Sequence, residues 1–143
     1  AAIRTNFVNL TFDVSIEKGL APVNCDPVLL GQVIFNLLEN AAKFSSAKKL
    51  VLIRAKDLMN ATEIRVIDQG TGISSHALPH VFDKFFTDDD GSRGAGLGLA
   101  IAKGVIEEMG GTIVAISPGT GGVGTEMVIT MPVNAGQNVG PTI

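Results

Sequence analysis

The stretch DPVLLGQVIFNLLENAAKF, residues 26–44, decides the fold of this chain. It opens with Asp26 and Pro27, which have the pattern of an N-cap side chain followed by proline at the first helical position. Most of the residues that follow are apolar, which predicts a buried helix that ends near Phe44. Because such a helix needs other elements around it, we expect the flanking segments to supply a sheet.

Strand-like segments lie on both sides of this helix. Residues 7–16 alternate in polarity, which predicts a half-buried strand. Its apolar face carries Val8, Leu10, Phe12, Val14 and Ile16. Residues 50–56 and 63–68 predict two strands around a polar turn near Asn60, and residues 112–117 and 125–132 predict a glycine-rich hairpin. That last hairpin excludes a purely parallel sheet.

Two shorter helices complete the predicted architecture. Residues 75–82 predict a short helix, and residues 97–109 have helical spacing that ends at a Gly-Gly pair, which is typical of a C-cap. We therefore expect an α+β fold, a two-layer α/β sandwich in which three helices cover one face of a mixed sheet. The prediction is one domain over residues 1–133 and a tail over residues 134–143.

The composition argues against several functional classes. Of the 143 residues, 45% are hydrophobic and 17% are charged, which is unlike a disordered chain. A net charge of -3 argues against nucleic-acid binding, which needs clustered Lys and Arg. The single cysteine, Cys25, cannot form an internal disulfide and fits a reducing compartment. No apolar run approaches the roughly 20 residues that span a bilayer, and the first residues do not have the pattern of a signal peptide.

A polar stripe runs along the otherwise apolar helix. Gln32, Asn36, Asn40 and Lys43 are spaced by four, four and three residues, which places them on one face. One interpretation is that the stripe is the solvent-facing side of the helix. The other is that it lines a polar ligand site, since a carboxamide oxygen suits Mg²⁺ and a lysine suits phosphate.

The segment IRVIDQGTGIS, residues 64–74, places an aspartate at the end of a predicted strand. Asp68 either caps the turn at Gly70 or accepts a hydrogen bond from an exocyclic amine such as that of adenine. Gly70 and Gly72 would let the backbone approach a flat base closely.

The segment GSRGAGLGL, residues 91–99, lies directly before a predicted helix. Its backbone N–H groups and the helix start favour an anion, and Arg93 is suited to a terminal phosphate, although a simple flexible loop also fits. The P-loop pattern does not occur in the chain. The match to GxGxxG at residues 119–124 precedes a strand, so we interpret it as a hairpin and not as a dinucleotide site.

Taken in this order, these segments resemble the ATP-binding catalytic domain of sensor histidine kinases, within a wider group that includes gyrase and MutL. Residues 32–45 resemble the N box, 68–73 and 94–111 the two glycine boxes, 81–86 the F box, and 124–132 the closing strand. The resemblance covers residues 7–133 and implies the Bergerat ATP-binding fold. Residues 26–41 are similar to the potassium-responsive sensor kinases.

The resemblance implies a role for each matching position, with ATP and Mg²⁺ as cofactors. It makes Asn40 the Mg²⁺ ligand, Asn36 and Lys43 the catalytic residues beside the phosphates, and Asp68 the adenine-binding carboxylate. The other implied nucleotide contacts are Phe44, Gly70, Gly72, Ile73, Phe85, Arg93, Gly94, Gly96, Leu97, Gly98 and Thr125. The F-box residues Phe82, Phe85 and Phe86 would anchor the lid to the core or contact the histidine-bearing domain.

The type of reaction depends on the position four residues before Asn40. Relatives that hydrolyse ATP have a carboxylate there, but Asn36 has no useful basicity, and Glu39 points about 100° away from Asn40 around the helix. This favours phosphoryl transfer over hydrolysis. The acceptor histidine is expected to lie outside this chain, because His76 and His80 are not followed by the acidic residue that the family's acceptor has. An ATPase, a regulatory nucleotide-binding module and a serine-directed kinase remain as alternatives.

The resemblance also implies partners and a location. The partners are the histidine-bearing dimerisation domain of the same protein and the receiver domain of a response regulator, with no nucleic acid and no direct membrane contact. We expect a cytoplasmic domain, cut from a longer membrane-bound sensor and monomeric as an isolated chain.

Overall fold

The computed structural model describes residues 11–23, 25–44, 50–86, 98–119 and 121–133. Its centre is a five-stranded sheet in the order β1-β2-β3-β5-β4. The parallel pair is β1 with β2, and the other neighbours are antiparallel, so the predicted mixed sheet is confirmed. The strands are β1 (Thr11–Ile16), β2 (Leu50–Asp57), β3 (Ala61–Asp68), β4 (Thr112–Ile116) and β5 (Thr125–Pro132).

Helix α1 (Pro27–Phe44) begins as the sequence predicts. Oδ1 of Asp26 accepts hydrogen bonds from the N–H groups of Val28 at 2.9 Å and Leu29 at 3.3 Å. These bonds satisfy two of the backbone donors that the first turn of a helix leaves without partners. Asp26 therefore fixes the residue at which α1 begins.

Helix α2 (Gly98–Glu108) ends in a glycine turn. The N–H of Gly110 donates to the carbonyl of Glu107 at 3.0 Å, and that of Gly111 donates to the carbonyl of Ile106 at 2.9 Å. This pair of bonds is a Schellman motif, and Gly110 supplies its left-handed residue with a φ of 84°. The predicted C-cap is confirmed, and it turns the chain directly into β4.

Both α-helices lie on one face of the sheet, which we call the helix face. Buried side chains of α1, such as Leu37 and Leu38, form one core with Ile106 of α2 and with strand residues such as Val66 and Ile129. Because strand side chains alternate, Leu52, Arg54, Arg65 and Glu126 lie on the opposite face, which we call the back face. The two-layer α/β sandwich is therefore confirmed.

The edge strand β1 departs from its prediction in part. The strand is confirmed over Thr11–Ile16, and Phe12 packs against the core. However, Val14 and Ile16 are 55% and 61% exposed, so the expectation that they are buried is wrong. Alternation correctly places them on the helix face, but α1 packs on β2 and β3 and does not extend over this end of the edge strand.

The predicted third helix is a single 3-10 turn, Leu78–His80. Ala77 precedes it as the N-cap, and the N–H of His80 donates to the carbonyl of Ala77 at 2.8 Å. In the turn before it, the carbonyl of Ser74 accepts hydrogen bonds from the N–H groups of Ala77 at 3.1 Å and Leu78 at 2.9 Å. Pro79 has no N–H to continue the pattern, which keeps the helix short. Within the described ranges, no helix has both the length and the apolar character needed to cross a membrane.

Candidate functional site

Asp68 ends β3 on the helix face, where alternation puts it on the same side as the core residue Val66. Asp68 is only 7% exposed. Burial raises the pKa of the Asp68 carboxyl, and hydrogen bonds from the backbone N–H groups of Gly70 and Thr125 oppose that rise. The bond from Gly70 to Oδ1 is 2.9 Å long. The carboxyl is thus held in a fixed orientation at the end of the sheet, as a specific acceptor should be.

The turn after Asp68 approaches the β4–β5 hairpin closely. Gly72 has a φ of 77°, and a Cβ there would lie 3.0 Å from Oγ of Ser117 and 3.3 Å from the carbonyl oxygen of Gly124. The N–H of Ile73 donates to Oγ of Ser117 at 2.7 Å. Glycine at position 72 is therefore required both by its backbone conformation and by the space around it.

Gly124 supports the same turn from the hairpin side. Its φ is 68°, and a Cβ there would overlap the carbonyl oxygen of Asp68. The next residue, Thr125, is 5% exposed and lies opposite Asp68 in the β3–β5 register. The structure thus brings together Asp68, Gly70, Gly72, Ile73 and Thr125, five of the residues that the sequence singled out.

Ser117 was not among the predicted site residues. Its Oγ donates to the carbonyl of Gly124 at 3.0 Å, accepts from Ile73, and lies 3.4 Å from Oγ1 of Thr125. In the sequence it is the last residue of a predicted strand and belongs to no motif, so only the strand pairing brings it to Ile73.

The polar stripe of α1 is half-buried in the middle and exposed at its ends. Asn36 and Asn40 are half-buried, whereas Gln32 and Lys43 are exposed. Nδ2 of Asn36 points to the carbonyl oxygen of Gly98, the first residue of α2, at a long 3.5 Å. The solvent-facing interpretation therefore fits the two ends of the stripe, and the two asparagines are available to a ligand beside α2.

The asparagines and Asp68 lie on the same side of the sheet. Helix α1 packs on β3 and on α2, so Asn36 and Asn40 are in the layer that covers the helix face, to which Asp68 belongs. Among the described residues, no group of three or more His, Cys, Asp or Glu side chains could hold a metal ion. Asn40 still fits Mg²⁺, because that ion takes few protein ligands and completes its shell with phosphate oxygens and water.

Several predicted contacts lie outside the described residues. These are Arg93, Gly94, Gly96 and Leu97, and for Phe44 only the backbone, as the last residue of α1, is described. Gly98 is described and begins α2.

The three phenylalanines of the F box have different surroundings. Phe82 packs against the core, and Nζ of Lys103 lies 5.6 Å from its ring centroid. Phe86 lies 5.9 Å from the ring of His80, whereas Phe85 is 69% exposed and has a φ of 65°. Phe82 thus anchors this segment, as one of the two expected roles requires, and Phe85 projects from it.

The back face carries an ion-pair cluster and a cavity that Arg65 and Glu126 of this cluster help to line. Arg65 lies 2.8 Å from Oε1 of Glu63 and 2.7 Å from Oε1 of Glu126, and Glu126 is 1% exposed. The hydrogen bond from Arg65 lowers the pKa of Glu63. A cavity of about 350 Å³ borders this cluster. It is lined by back-face residues and by three residues beside the strand ends, which are Leu52, Arg54, Arg65, Ile67 and Glu126, and Asp68, Gln69 and Val123. Alternation places the Asp68 side chain on the helix face, and Asn36 and Asn40 do not line this cavity, so it is not the predicted nucleotide site.

Comparison with known proteins identifies the family of this chain. Residues 25–135 match the family model described as "Histidine kinase-, DNA gyrase B-, and HSP90-like ATPase". The chain belongs to this family.

Individual relatives are sensor kinases. The sensor protein KdpD of Clostridium acetobutylicum is 42% identical over 120 residues, which cover 81% of this chain and 13% of KdpD. The sensor protein kinase WalK of Staphylococcus aureus is 37% identical over 128 residues, which cover 85% of this chain and 30% of WalK. This chain therefore spans only a small part of these relatives.

Solved structures share the fold. The mycobacterial sensor histidine kinase MprB superposes with a TM-score of 0.77 at 31% identity, over 92% of this chain and 87% of that one. Full-length ShkA in complex with AMPPNP superposes with a TM-score of 0.76 at 26% identity, over 92% of this chain and 27% of ShkA.

Proposed function

We propose that this chain binds Mg-ATP and transfers the γ-phosphoryl group to a histidine on a separate domain of the same protein. The observation that carries the proposal is the buried Asp68 carboxyl, held by the N–H groups of Gly70 and Thr125 at the end of the sheet. A carboxylate in this position accepts a hydrogen bond from the exocyclic amine of adenine, whereas the carbonyl of guanine would repel it. The AMPPNP in the related ShkA structure supports the choice of an adenine nucleotide.

The phosphate end of the nucleotide lies along α1. Asn40 contributes a carboxamide oxygen to Mg²⁺, and Lys43, about one turn from Asn40, offers positive charge to the phosphates. When bound, Mg²⁺ neutralises phosphate charge in the transition state. Asn36 contacts the carbonyl of Gly98 through Nδ2 and thereby helps to position the start of α2.

Helix α1 has no carboxylate at position 36 that could act as a general base, and this favours transfer over hydrolysis. In the reaction, a ring nitrogen of the acceptor histidine bonds to the γ-phosphorus, the bond from that phosphorus to the bridging oxygen of the β-phosphate breaks, and ADP leaves. No general base is required for an unprotonated imidazole nitrogen, whereas water must lose a proton. Asn36 cannot accept that proton, and Glu39 is exposed on another side of the helix.

The partners and location follow from the sensor-kinase relatives. We propose that the acceptor is a histidine-bearing dimerisation domain, that the phosphoryl group passes on to a receiver domain of a response regulator, and that the domain works on the cytoplasmic side of a membrane-bound sensor. His76 and His80 do not fit the acceptor role. His76 is exposed, and Nδ1 of His80 lies 3.0 Å from Oδ2 of Asp83 on the surface.

The test mixes the purified chain with γ-labelled ATP, with and without the histidine-bearing domain of the same protein. We expect acid-labile, base-stable label on that domain, and none when Asn40→Ala replaces the wild-type chain. Release of phosphate without an acceptor would support the ATPase alternative, and label on serine would support a serine-directed kinase. Binding of ATP with neither product would support a regulatory module.

A further inference from the structure

Ser117 connects three segments that meet at the adenine end of the proposed site. It follows β4, its side chain is part-buried, and its Oγ contacts the turn after β3, the hairpin and the start of β5. The bond from the Ile73 N–H is 2.7 Å, and the bond to the Gly124 carbonyl is 3.0 Å. A hydroxyl group is suited to this place because it can donate one hydrogen bond and accept another.

We propose that Ser117 is the positioning residue for adenine recognition, acting through the turn that follows Asp68. This inference rests on the proposed function. Ser117 holds the far end of the turn through Ile73, while Asp68 itself holds the near end through Gly70. Between Gly70 and Ile73 lie the exposed Thr71 and Gly72, and a glycine allows the backbone a wide range of conformations once one end is released.

The hydrogen bond from Oγ of Ser117 to the carbonyl of Gly124 links this turn to the β4–β5 hairpin. Gly124 lies directly against the carbonyl of Asp68, and the following residue, Thr125, donates a backbone hydrogen bond to the Asp68 carboxyl. Loss of the Ser117 hydroxyl therefore loosens both the turn and the start of β5. The orientation of the Asp68 carboxyl depends on both.

Loss of the Ser117 hydroxyl should weaken the binding of the base and leave the binding of the phosphates unchanged. On the proposed phosphate side, Asn36 of α1 contacts Gly98 at the start of α2, and this contact does not involve Ser117. A general loss of folding would instead weaken every part of the nucleotide equally. The comparison of two nucleotides that differ only at the exocyclic amine therefore separates positioning from simple stability.

The experiment measures affinities of the chain for ATP and for purine riboside triphosphate, which lacks the amine, by competition against a fluorescent ATP derivative. We expect Ser117→Ala to lower the affinity for ATP by about fivefold to tenfold, which corresponds to one or two neutral hydrogen bonds. The affinity for the analogue should stay nearly unchanged. Ser117→Thr, which keeps the hydroxyl, should restore most of the preference for ATP. Thr112→Ala, which removes an exposed hydroxyl from β4, the strand that precedes Ser117, is the matched control and should change neither affinity.

The outcomes are distinct from failure of the proposed function. If the wild-type chain binds both triphosphates equally, the adenine assignment of Asp68 is wrong. If the wild type prefers ATP but Ser117→Ala weakens both ligands by the same factor, Ser117 is merely structural and the inference is overturned.

A second measurement uses the wild-type chain, so it does not depend on the variant folding. The amide of Ile73 should exchange its hydrogen much more slowly than that of the exposed Thr71, because only the former donates to Ser117 among the described contacts. Equal exchange rates for the two amides would contradict the inference.

Discussion

Asp68 and Thr125 face each other across the β3–β5 pair, and the backbone N–H of Thr125 donates to the Asp68 carboxyl. This contact joins the last residue of one strand to the first residue of another that is far away in the sequence. The carboxyl is thereby held by main-chain groups, whose positions are fixed by the sheet itself.

The first prediction concerns nucleotide affinity. Asp68→Asn should weaken ATP binding by about 10-fold to 100-fold, because it replaces a charged acceptor with a neutral one and directs an amide toward donors. Isothermal titration with Mg-ATP measures the change. Unchanged affinity would show that Asp68 does not contact the base.

The second prediction concerns the pH dependence of folding stability. Since the folded-state pKa of Asp68 is raised, the charged form destabilises the fold above that pKa. As the pH falls from that raised pKa toward the unfolded value of about 3.9, the folded state binds the proton first and the penalty is relieved.

Measurements on the nucleotide-free chain check this linkage. Urea denaturation at several pH values should show that the wild type gains stability relative to Asp68→Asn as the solution is acidified through this window. The idea fails if the difference between the two proteins stays constant, or if the wild type loses stability relative to the variant.

The third prediction separates backbone conformation from close packing in the hairpin. Gly124→Ala should lower both ATP affinity and stability strongly, since the new methyl overlaps the carbonyl oxygen of Asp68. Gly121→Ala is the control, because its φ is 89° but nothing lies within 4 Å of a Cβ there. It should lose only about 1–2 kcal/mol for the left-handed conformation and keep its affinity. Equal loss of ATP affinity in both variants would contradict this account.

The fourth prediction concerns the metal. Asn40→Ala should remove the increase in ATP affinity that Mg²⁺ causes, and leave the affinity measured in excess chelator nearly unchanged. Gln32→Ala changes an exposed amide of the same stripe and should behave like the wild type in both conditions. If Asn40→Ala responds to Mg²⁺ as the wild type does, another residue holds the ion.

The fifth prediction concerns the back face. Arg65→Met leaves the buried Glu63 and Glu126 without this cation and should destabilise the fold by about 2–4 kcal/mol in chemical denaturation at neutral pH. The deficit should shrink on acidification, because the wild type loses the benefit of the lowered pKa of Glu63 while the variant's carboxyls become neutral. Arg54→Met, opposite Arg65 in register and exposed, is the control and should cost less than about 0.5 kcal/mol.

The sequence contained most of the information about the sheet and about the placement of Asp68 at its end. Asp26 and Pro27 indicated the start of α1, the Gly-Gly pair indicated the end of α2, and the position of Asp68 followed from strand alternation. These signals are local, since a cap or an alternating strand is determined by residues within a few positions of each other.

What the sequence did not indicate depends on contacts between distant segments. Alternation correctly assigned Val14 and Ile16 to a face but did not show that this part of the face is exposed. Ser117 and Ile73 are 44 residues apart, so their hydrogen bond exists only once the strands are paired. The face of the sheet on which a side chain lies follows from the local sequence. Its burial and its hydrogen-bond partners depend on segments far away in the sequence.

The adenine end of the site is assembled from segments near residues 68–73, 117 and 124–125. A nascent chain that has not yet emerged as far as residue 125 can form α1 and the β2–β3 hairpin but has no partner strand for the outer side of Asp68. Recognition of the base should therefore arise late in folding, after long-range strand pairing, which is a slow step. Truncated or incompletely folded copies would lack the strand pair on which the proposed selection of the base depends.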